Sequence, residues 1–242
     1  MATLCAKCPL RRLDVFYPMS EQDVRSMDRF KVGELTVDSG TPILLEGSNS
    51  LQLFTVLRGI GIRYKTTREG RRQVLNFVFP GDLIGLQGSV LKEMSHSIEA
   101  RSKMTLCVFN RSDLFSFIQE HPQRGYDVTW MAAVQEHFLG EALTSVGQHS
   151  ALQSVAWAIL RLFERARALG MTEDRTMTLP IRQQDLADAL GLSLVHTNKT
   201  LGKLKDRQLV GWSDGKISIS DPQKLADVAG VDPDQTTRRP LM

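Results

Sequence analysis

Three cysteines carry the first chemistry in this sequence. Cys5 and Cys8 form a C-x-x-C pair in MATLCAKCPLRRLD, and Cys107 lies far downstream in MTLCVFNR. A C-x-x-C pair can close a redox disulfide, supply half of a zinc site or hold part of an iron–sulfur cluster, and the local spacing fits all three. No run of about 18 uncharged apolar residues occurs, and the beginning of the chain lacks the apolar stretch of a signal peptide. A membrane partner is therefore not expected, and the cytoplasm is the expected compartment. Its reducing poise disfavours structural disulfides, so an odd number of cysteines reads as thiols, metal ligands or a redox switch.

The second set of chemical residues is basic. LVHTNKTLGKLKDR (Leu194–Arg207) carries Lys199, Lys203, Lys205 and Arg207 against Asp206 alone, in a chain whose formal net charge is only +3. Bulk charge does not announce a nucleic-acid ligand, whereas this local clustering does. Gln183–Leu190 reads as a short helix with Leu186 and Leu190 on one face, ended by Gly191 where a left-handed residue is wanted. Ser193 then caps a second helix, Leu194–Asp206, with Leu201 and Leu204 turned inward. That is helix-turn-helix spacing, which sets the second helix where it can enter a major groove. LVGWSDGKISIS alternates around Asp214-Gly215, a two-residue hairpin signal, so the motif is expected to be winged. Ser193, Val195, His196, Asn198, Lys199 and Lys203 form the expected DNA face. Val195, His196 and Asn198 stand near base edges; Lys199, Lys203 and Lys205 serve phosphates. Thr197 and Thr200 lean inward and read as packing residues.

The elements that must position these residues follow from periodicity. With 242 residues and 42% hydrophobic content the chain can build one large core or two small ones. From about Phe30 to Phe109, runs such as TPILLEG, LQLFTVLRGIGIRYKT and RQVLNFVFPGD alternate between glycine-bearing turns, the rhythm of an antiparallel roll or barrel. After Arg111 a helical period takes over. Leu114, Phe115 and Ile118 precede a break at Pro122; Val128, Met131, Val134, Phe138, Leu139, Ala142, Leu143 and Val146 then recur at three- and four-residue steps. The resulting helix, bounded by Gly125 and Gly147, presents either ordinary core or a helix–helix dimer seam. ALQSVAWAILRLFERARA (151–168) forms another amphipathic helix. The expected segments are 1–24 with the cysteines, 25–120 the β-roll, 121–149 the long helix, 150–222 the winged helix-turn-helix, and 223–242 a weak helix followed by disorder.

Catalysis is not indicated. Cupin-like metal chemistry needs a His/Glu cluster on the strands, and of five histidines only His96 falls in the expected roll, in a loop where it reads as a surface residue. No Ser/His/Asp or paired-carboxylate arrangement stands out.

Taken together, FVFPGDLIGLQG in the roll, the long helix, QDLADALGLS…TLGKLKDRQLV and the wing resemble the Crp/Fnr family of bacterial transcription regulators, from Cys5 to about Gly230. The resemblance implies an α+β fold: an N-terminal β-roll of the cyclic-nucleotide-binding jelly-roll type, a long dimerisation helix and a C-terminal winged helix-turn-helix. It also implies a homodimer acting on double-stranded operator DNA, with RNA polymerase a further partner. In the cAMP-binding branch an Arg-Ser pair follows the GDL segment. The comparable EMSHSIEA has Met94-Ser95 and no arginine, which disfavours cAMP because its phosphate would lack a charge partner. In the Fnr branch three N-terminal cysteines and one roll cysteine hold an oxygen-labile [4Fe–4S] cluster. Cys5, Cys8 and Cys107 match three of these positions, and Asp14 stands at the fourth. The resemblance thus implies oxygen or redox sensing through a cluster on Cys5, Cys8 and Cys107, with Asp14 as the harder fourth donor. The alternatives are zinc, a thiol switch, or an organic effector in a roll pocket near Gly81, Asp82, Leu83 and Ser95. The recognition helix also departs from the family: Val195 replaces its base-reading glutamate and Lys199 its arginine, which loses bidentate geometry at guanine.

Overall fold

The computed structural model describes residues 2–233 and 237–242. Its contacts divide into two units, one built from Met1–Thr66, Leu75–Gln135 and Arg238–Met242, the other from Thr67–Val74 and Glu136–Thr237.

In the first unit, two short 3-10 turns, Cys5–Lys7 and Pro9–Arg12, precede helix α1 (Glu21–Phe30). Ser20 starts α1 with a capping box: its hydroxyl accepts the Asp23 amide while the Asp23 carboxylate accepts the Ser20 amide. The roll consists of β1 (Lys31–Val37), β2 (Pro42–Leu44), β3 (Gln52–Arg58), β4 (Gly61–Thr66), β5 (Arg72–Val78), β6 (Leu83–Ile84), β7 (Ser97–Ala100) and β8 (Met104–Asn110), with helix α2 (Leu86–Leu91) between β6 and β7. Two four-stranded sheets result, ordered β1-β8-β3-β6 and β2-β7-β4-β5. Phe54, Val56, Val78, Ile84, Ile98, Met104 and Leu106 from the strands, with Met94 from the loop before β7, fill the interior. Gly59 makes the β3–β4 turn at φ +89°, and a Cβ there would stand 2.4 Å from the Lys103 carbonyl. Only glycine fits that approach.

Helix α3 (Leu114–Glu120) follows β8, and the long α4 (Pro122–Gln148) follows α3. Gly125 and Gly147, expected to bound the long helix, lie inside it. A second hydrophobic cluster joins Met27 and Phe30 of α1, Leu53, Phe109, Leu114, Phe117 of α3, Met131 of α4, and Met242. Within it Phe30 stacks on Phe109 at 4.8 Å and on Phe117 at 4.1 Å between ring centroids.

In the second unit, α5 (Ala151–Ala168) starts at a Ser150–Gln153 capping box and buries Val155, Trp157, Ile159, Leu160 and Phe163. Arg161 pairs with Glu141 of α4 and Glu164 of α5. A small sheet, ordered β11-β12-β10-β9, combines β9 (Thr172–Glu173) and β10 (Thr176–Thr178) with the wing strands β11 (Val210–Ser213) and β12 (Lys216–Ile219). Between them lie α6 (Gln183–Leu190) and α7 (Leu194–Asp206), and α8 (Pro222–Ala229) closes the unit against α5. Arg72, at the start of β5, pairs with Asp185 at 2.8 Å and Asp188 at 2.7 Å on α6. Among the described residues no helix is long and apolar enough to cross a membrane.

Two expectations change. The end of the chain was expected to be disordered; of that stretch, 234–236 lie outside the described residues, but Pro240, Leu241 and Met242 are buried in the first unit because the N-terminal segment and the Phe30 cluster offer them an apolar seat. His96 does precede β7 in a loop, yet it is only 5% exposed. Burial, together with the charges of Arg63 and Lys65, pushes its pKa down to about 3 from 6.5. His96 therefore stays neutral when folded but takes up a proton below about pH 6.5 when unfolded, so stability is full above that pH and falls as the pH drops towards 3. Replacing His96 by Gln should flatten the acid limb by up to roughly 1.4 kcal/mol per pH unit. Urea unfolding of both proteins at a series of acidic pH values checks this; parallel limbs would place His96 in water.

Candidate nucleic-acid interface and thiol site

Helix α6 ends at Gly191, whose φ of +66° supplies the left-handed step, and the Leu192 amide returns to the Ala187 carbonyl at 3.0 Å. The chain then turns at Ser193, whose hydroxyl accepts the His196 amide at 3.2 Å and so fixes the first turn of α7. On the inner face Thr197, Thr200, Leu201 and Leu204 are buried, and Thr200 donates to the His196 carbonyl at 2.8 Å. On the outer face Val195 is 79% exposed, and His196, Asn198, Lys199, Lys203, Lys205 and Arg207 are exposed with it. All six residues of the expected DNA face thus share one solvent-facing side or the capped start of a single helix. The wing follows directly: β11 and β12 pair from Val210↔Ile219 to Ser213↔Lys216, and Asp214 and Gly215 turn between them with φ +50° and +71°. A rigid, capped helix with cations outward and small polar residues inward can lie in a major groove while the hairpin contacts the flanking backbone.

The three thiols arise from distant parts of the chain. Cys5 and Cys8 sit in and just after the first 3-10 turn, where the Cys8 amide donates to the Cys5 carbonyl at 3.2 Å. The Cys5 amide is held by the Asp28 carboxylate of α1 at 2.7 Å, and Arg11 reaches back to the Cys5 and Ala6 carbonyls. Cys107 lies in mid-strand β8, opposite Glu34 of β1 and Thr55 of β3. Lys31 ties the parts together: its ammonium donates to the Thr3 carbonyl at 2.6 Å and to Glu34 at 2.8 Å, and its charge acts on Cys5 and Cys107. Cys5 and Cys107 both pack on the rim of the Phe30 cluster. Burial, with Asp28 adding to it, pushes the Cys5 thiol up to about 12; burial pushes Cys107 up to about 11 against the pull of Lys31. Both are protonated thiols near neutral pH.

Asp14 does not join them visibly. Its side chain is exposed, and its carbonyl accepts Arg238 at 3.1 Å. Among the described residues no group of three or more His, Cys, Asp or Glu side chains is arranged to hold a metal ion. The side chains as placed therefore do not fit a four-ligand iron–sulfur cluster. Thiolate ligation there would require Cys5 and Cys107 to lose their protons and the turn around Cys5 and Cys8 to reshape.

The residues expected to line a roll pocket stand in four different settings. Gly81 is buried at φ +85° under the Phe16 ring, Asp82 accepts the Phe79 amide and pairs with Arg239 at 2.9 Å, Leu83 pairs with Thr55, and Ser95 is exposed and bonded to Gln87. Sequence reasoning missed a different polar group within the roll: Arg63 and Asn76 both donate to Gln135 at 3.1 Å, and His96 lies within reach of the Arg63 charge. Burial lowers the Arg63 pKa, and its Nε has no hydrogen-bond partner. The roll therefore has an interior cation despite the missing arginine beside Ser95. The signal for it was an arginine in the otherwise apolar run GIGIRY.

Comparison with known proteins follows this architecture. Residues 34–121 match the cyclic nucleotide-binding domain, and residues 153–228 match the Crp-like helix-turn-helix domain. The nitrogen fixation regulation protein FixK of Rhizobium meliloti is 30% identical over 193 residues, covering 78% of this chain and 84% of its own. The chain belongs to the Crp/Fnr family. This regulator is also 28% identical over 227 residues to FixK of Bradyrhizobium diazoefficiens, with 94% of each chain covered, and 23% identical over 235 residues to the transcriptional activator FnrL of Cereibacter sphaeroides. Its fold resembles that of FixK2 from Bradyrhizobium japonicum, with a TM-score of 0.73 at 23% identity over 81% of this chain and 96% of that one. These relatives are named as regulators of nitrogen fixation or activators of transcription.

The two lysines of α7 should separate by role. Lys203→Ala should weaken binding to every duplex alike and reduce the slope of log affinity against log salt by about 1, whereas Lys199→Ala should cost roughly 1–3 kcal/mol at the preferred operator and relax its specificity. Fluorescence anisotropy on operator and scrambled duplexes at several salt concentrations distinguishes them; unchanged affinity in both variants would remove α7 from the interface.

Proposed function

We propose that this Crp/Fnr regulator acts as a homodimer on double-stranded operator DNA through α7 and the wing, and that it answers oxygen or redox state through Cys5, Cys8 and Cys107. The observation carrying the sensory reading is that Cys5 and Cys107, 102 positions apart, meet at the rim of one hydrophobic cluster under a shared lysine. Thiols incidental to the fold have no reason to be gathered beside a buried cation. The chemistry this arrangement supports is thiol oxidation, in which a thiolate released from burial attacks or is attacked. A cluster bound by the three thiols with Asp14 as fourth donor is the second reading; the spacing of Cys5, Cys8 and Cys107 favours it, and it needs the turn around Cys5 and Cys8 to reshape.

The dimer reading rests on α4. Val134, Leu139, Leu143 and Val146 leave large apolar side chains exposed along it, Leu143 at 73%. Such a stripe is the seam along which two copies of a helix pack. Relatives named as transcriptional activators support RNA polymerase as a further partner.

Operator affinity should differ between protein kept reduced without oxygen and the same protein after exposure to air or peroxide. The change, about tenfold or more, should vanish in Cys107→Ser and be blunted in Cys5→Ser. Iron, sulfide and zinc analysis of the anaerobic protein assigns the chemistry: iron with sulfide lost in Cys107→Ser favours the cluster, and metal-free protein with intact regulation favours the thiol switch. Equal operator affinity in both redox states would defeat the sensory reading while leaving DNA binding in place.

A further inference from the structure

The last five described residues are bound to the segment that carries the first two cysteines. The Arg239 amide donates to the Val15 carbonyl at 2.8 Å, and the Tyr17 amide donates to the Arg239 carbonyl at 2.9 Å, a parallel bridge on either side of Phe16. The Arg239 guanidinium lies 5.8 Å from the Phe16 ring centre, pairs with Asp82 at 2.9 Å and donates to the Gly81 carbonyl at 3.1 Å. Phe16 is thereby held between Arg239 and Gly81, where any side chain at position 81 would collide with its ring. Arg124 of α4 donates to the Leu241 carbonyl and pairs with Asp23 of α1. Met242 enters the cluster of Phe30, Phe109 and Phe117, on whose rim Cys5 and Cys107 pack.

Two physical routes thus join this segment to the thiols. One runs along the backbone from Phe16 through Pro9–Arg12 to Cys8 and Cys5. The other runs through the packed rings from Met242 to the thiol side chains. We propose that Arg238–Met242 is a strap whose docking closes the thiol site, so that strap release and access to Cys5 and Cys107 are two readings of one equilibrium. Linkage requires the effect to be reciprocal: undocking the strap opens the thiols, and filling the thiol site undocks the strap by the same factor. The proposal deepens the redox reading by naming what regulates access to that site, but its test does not need the thiols to sense anything.

The experiment uses reduced, full-length protein in a Cys8→Ser background, so that the two packed thiols alone report. Maleimide alkylation of Cys5 and Cys107 is followed by mass spectrometry in that protein, in Arg239→Ala, and in a chain ending at Thr237. Alkylation should accelerate by about 5- to 150-fold in the shortened chain, the usual span for coupled sites, and by less in Arg239→Ala, with Arg239→Lys between Arg239→Ala and the unaltered strap. Thermal melts recorded alongside show whether the shortened chain remains folded. Should it not fold, amide hydrogen exchange on the full-length protein decides alone: maleimide on Cys107 should speed exchange at the Arg239 and Tyr17 amides. Thiol rates indifferent to Arg239→Ala, together with exchange at Arg239 and Tyr17 indifferent to the adduct, would overturn the strap. A strap that passes while operator affinity ignores redox state would instead count against the sensory reading alone.

Discussion

The Phe30 stack is the interaction on which the first unit depends. Phe30 is the last residue of α1, and its ring lies between Phe109 of β8 and Phe117 of α3. One aromatic column thus joins α1 to the β8–α3 corner far downstream in the sequence, and such contacts contribute beyond the area they bury. Because β1 begins at the next residue, the column also fixes where Lys31 and Glu34 stand against β8, and therefore where Cys107 meets Cys5. The thiol site is a consequence of that packing. It sits where helix, roll and N-terminal turns converge, so its chemistry is sensitive to how tightly they are closed.

The second unit solves a simpler problem. A recognition helix must keep its outer face unencumbered and still be rigid, and α7 does this with threonines. Thr197 and Thr200 are buried where the helix approaches its neighbours, leaving Val195, His196, Asn198 and the lysines with no structural duty. The cap at Ser193 and the left-handed step at Gly191 set the angle between α6 and α7 by backbone geometry alone. Specificity can then vary at these exposed positions without touching the core.

How legible each part was depended on the range of the interactions that define it. The helix-turn-helix and wing were readable to the residue, because Gly191, Ser193 and Asp214-Gly215 act over a few positions. The roll was readable in extent, from alternation, but not in register. Helix α1 escaped although Ser20 and Asp23 carry its capping box, because its four buried residues, Val24, Ser26, Met27 and Phe30, are too few to announce a period. His96 was misplaced because nothing local tells a loop that crosses the surface from one that folds under it. Asp28, Lys31, Glu34 and Arg239 were invisible as neighbours of the cysteine segment and of the roll, since Asp28 meets Cys5, Lys31 and Glu34 meet Thr3, and Arg239 meets Asp82 only after the chain has closed over a long separation.

The closed state has a chemical consequence for any sensor built on it. A thiol reacts as its thiolate, and each unit of pKa removes a factor of ten from the thiolate fraction at neutral pH. With Cys5 pushed from 9.0 to about 12 and Cys107 to about 11, both are far less reactive than a solvated cysteine while the site is closed. Lys31 works in the opposite direction, and its influence on Cys107 is outweighed by burial rather than absent. Loss of burial would leave Lys31 as the largest influence on Cys107, lowering its pKa, whereas at Cys5 the Asp28 carboxylate would still outweigh the lysine and hold the thiol up. Reactivity in this site is therefore governed by packing more than by its charges.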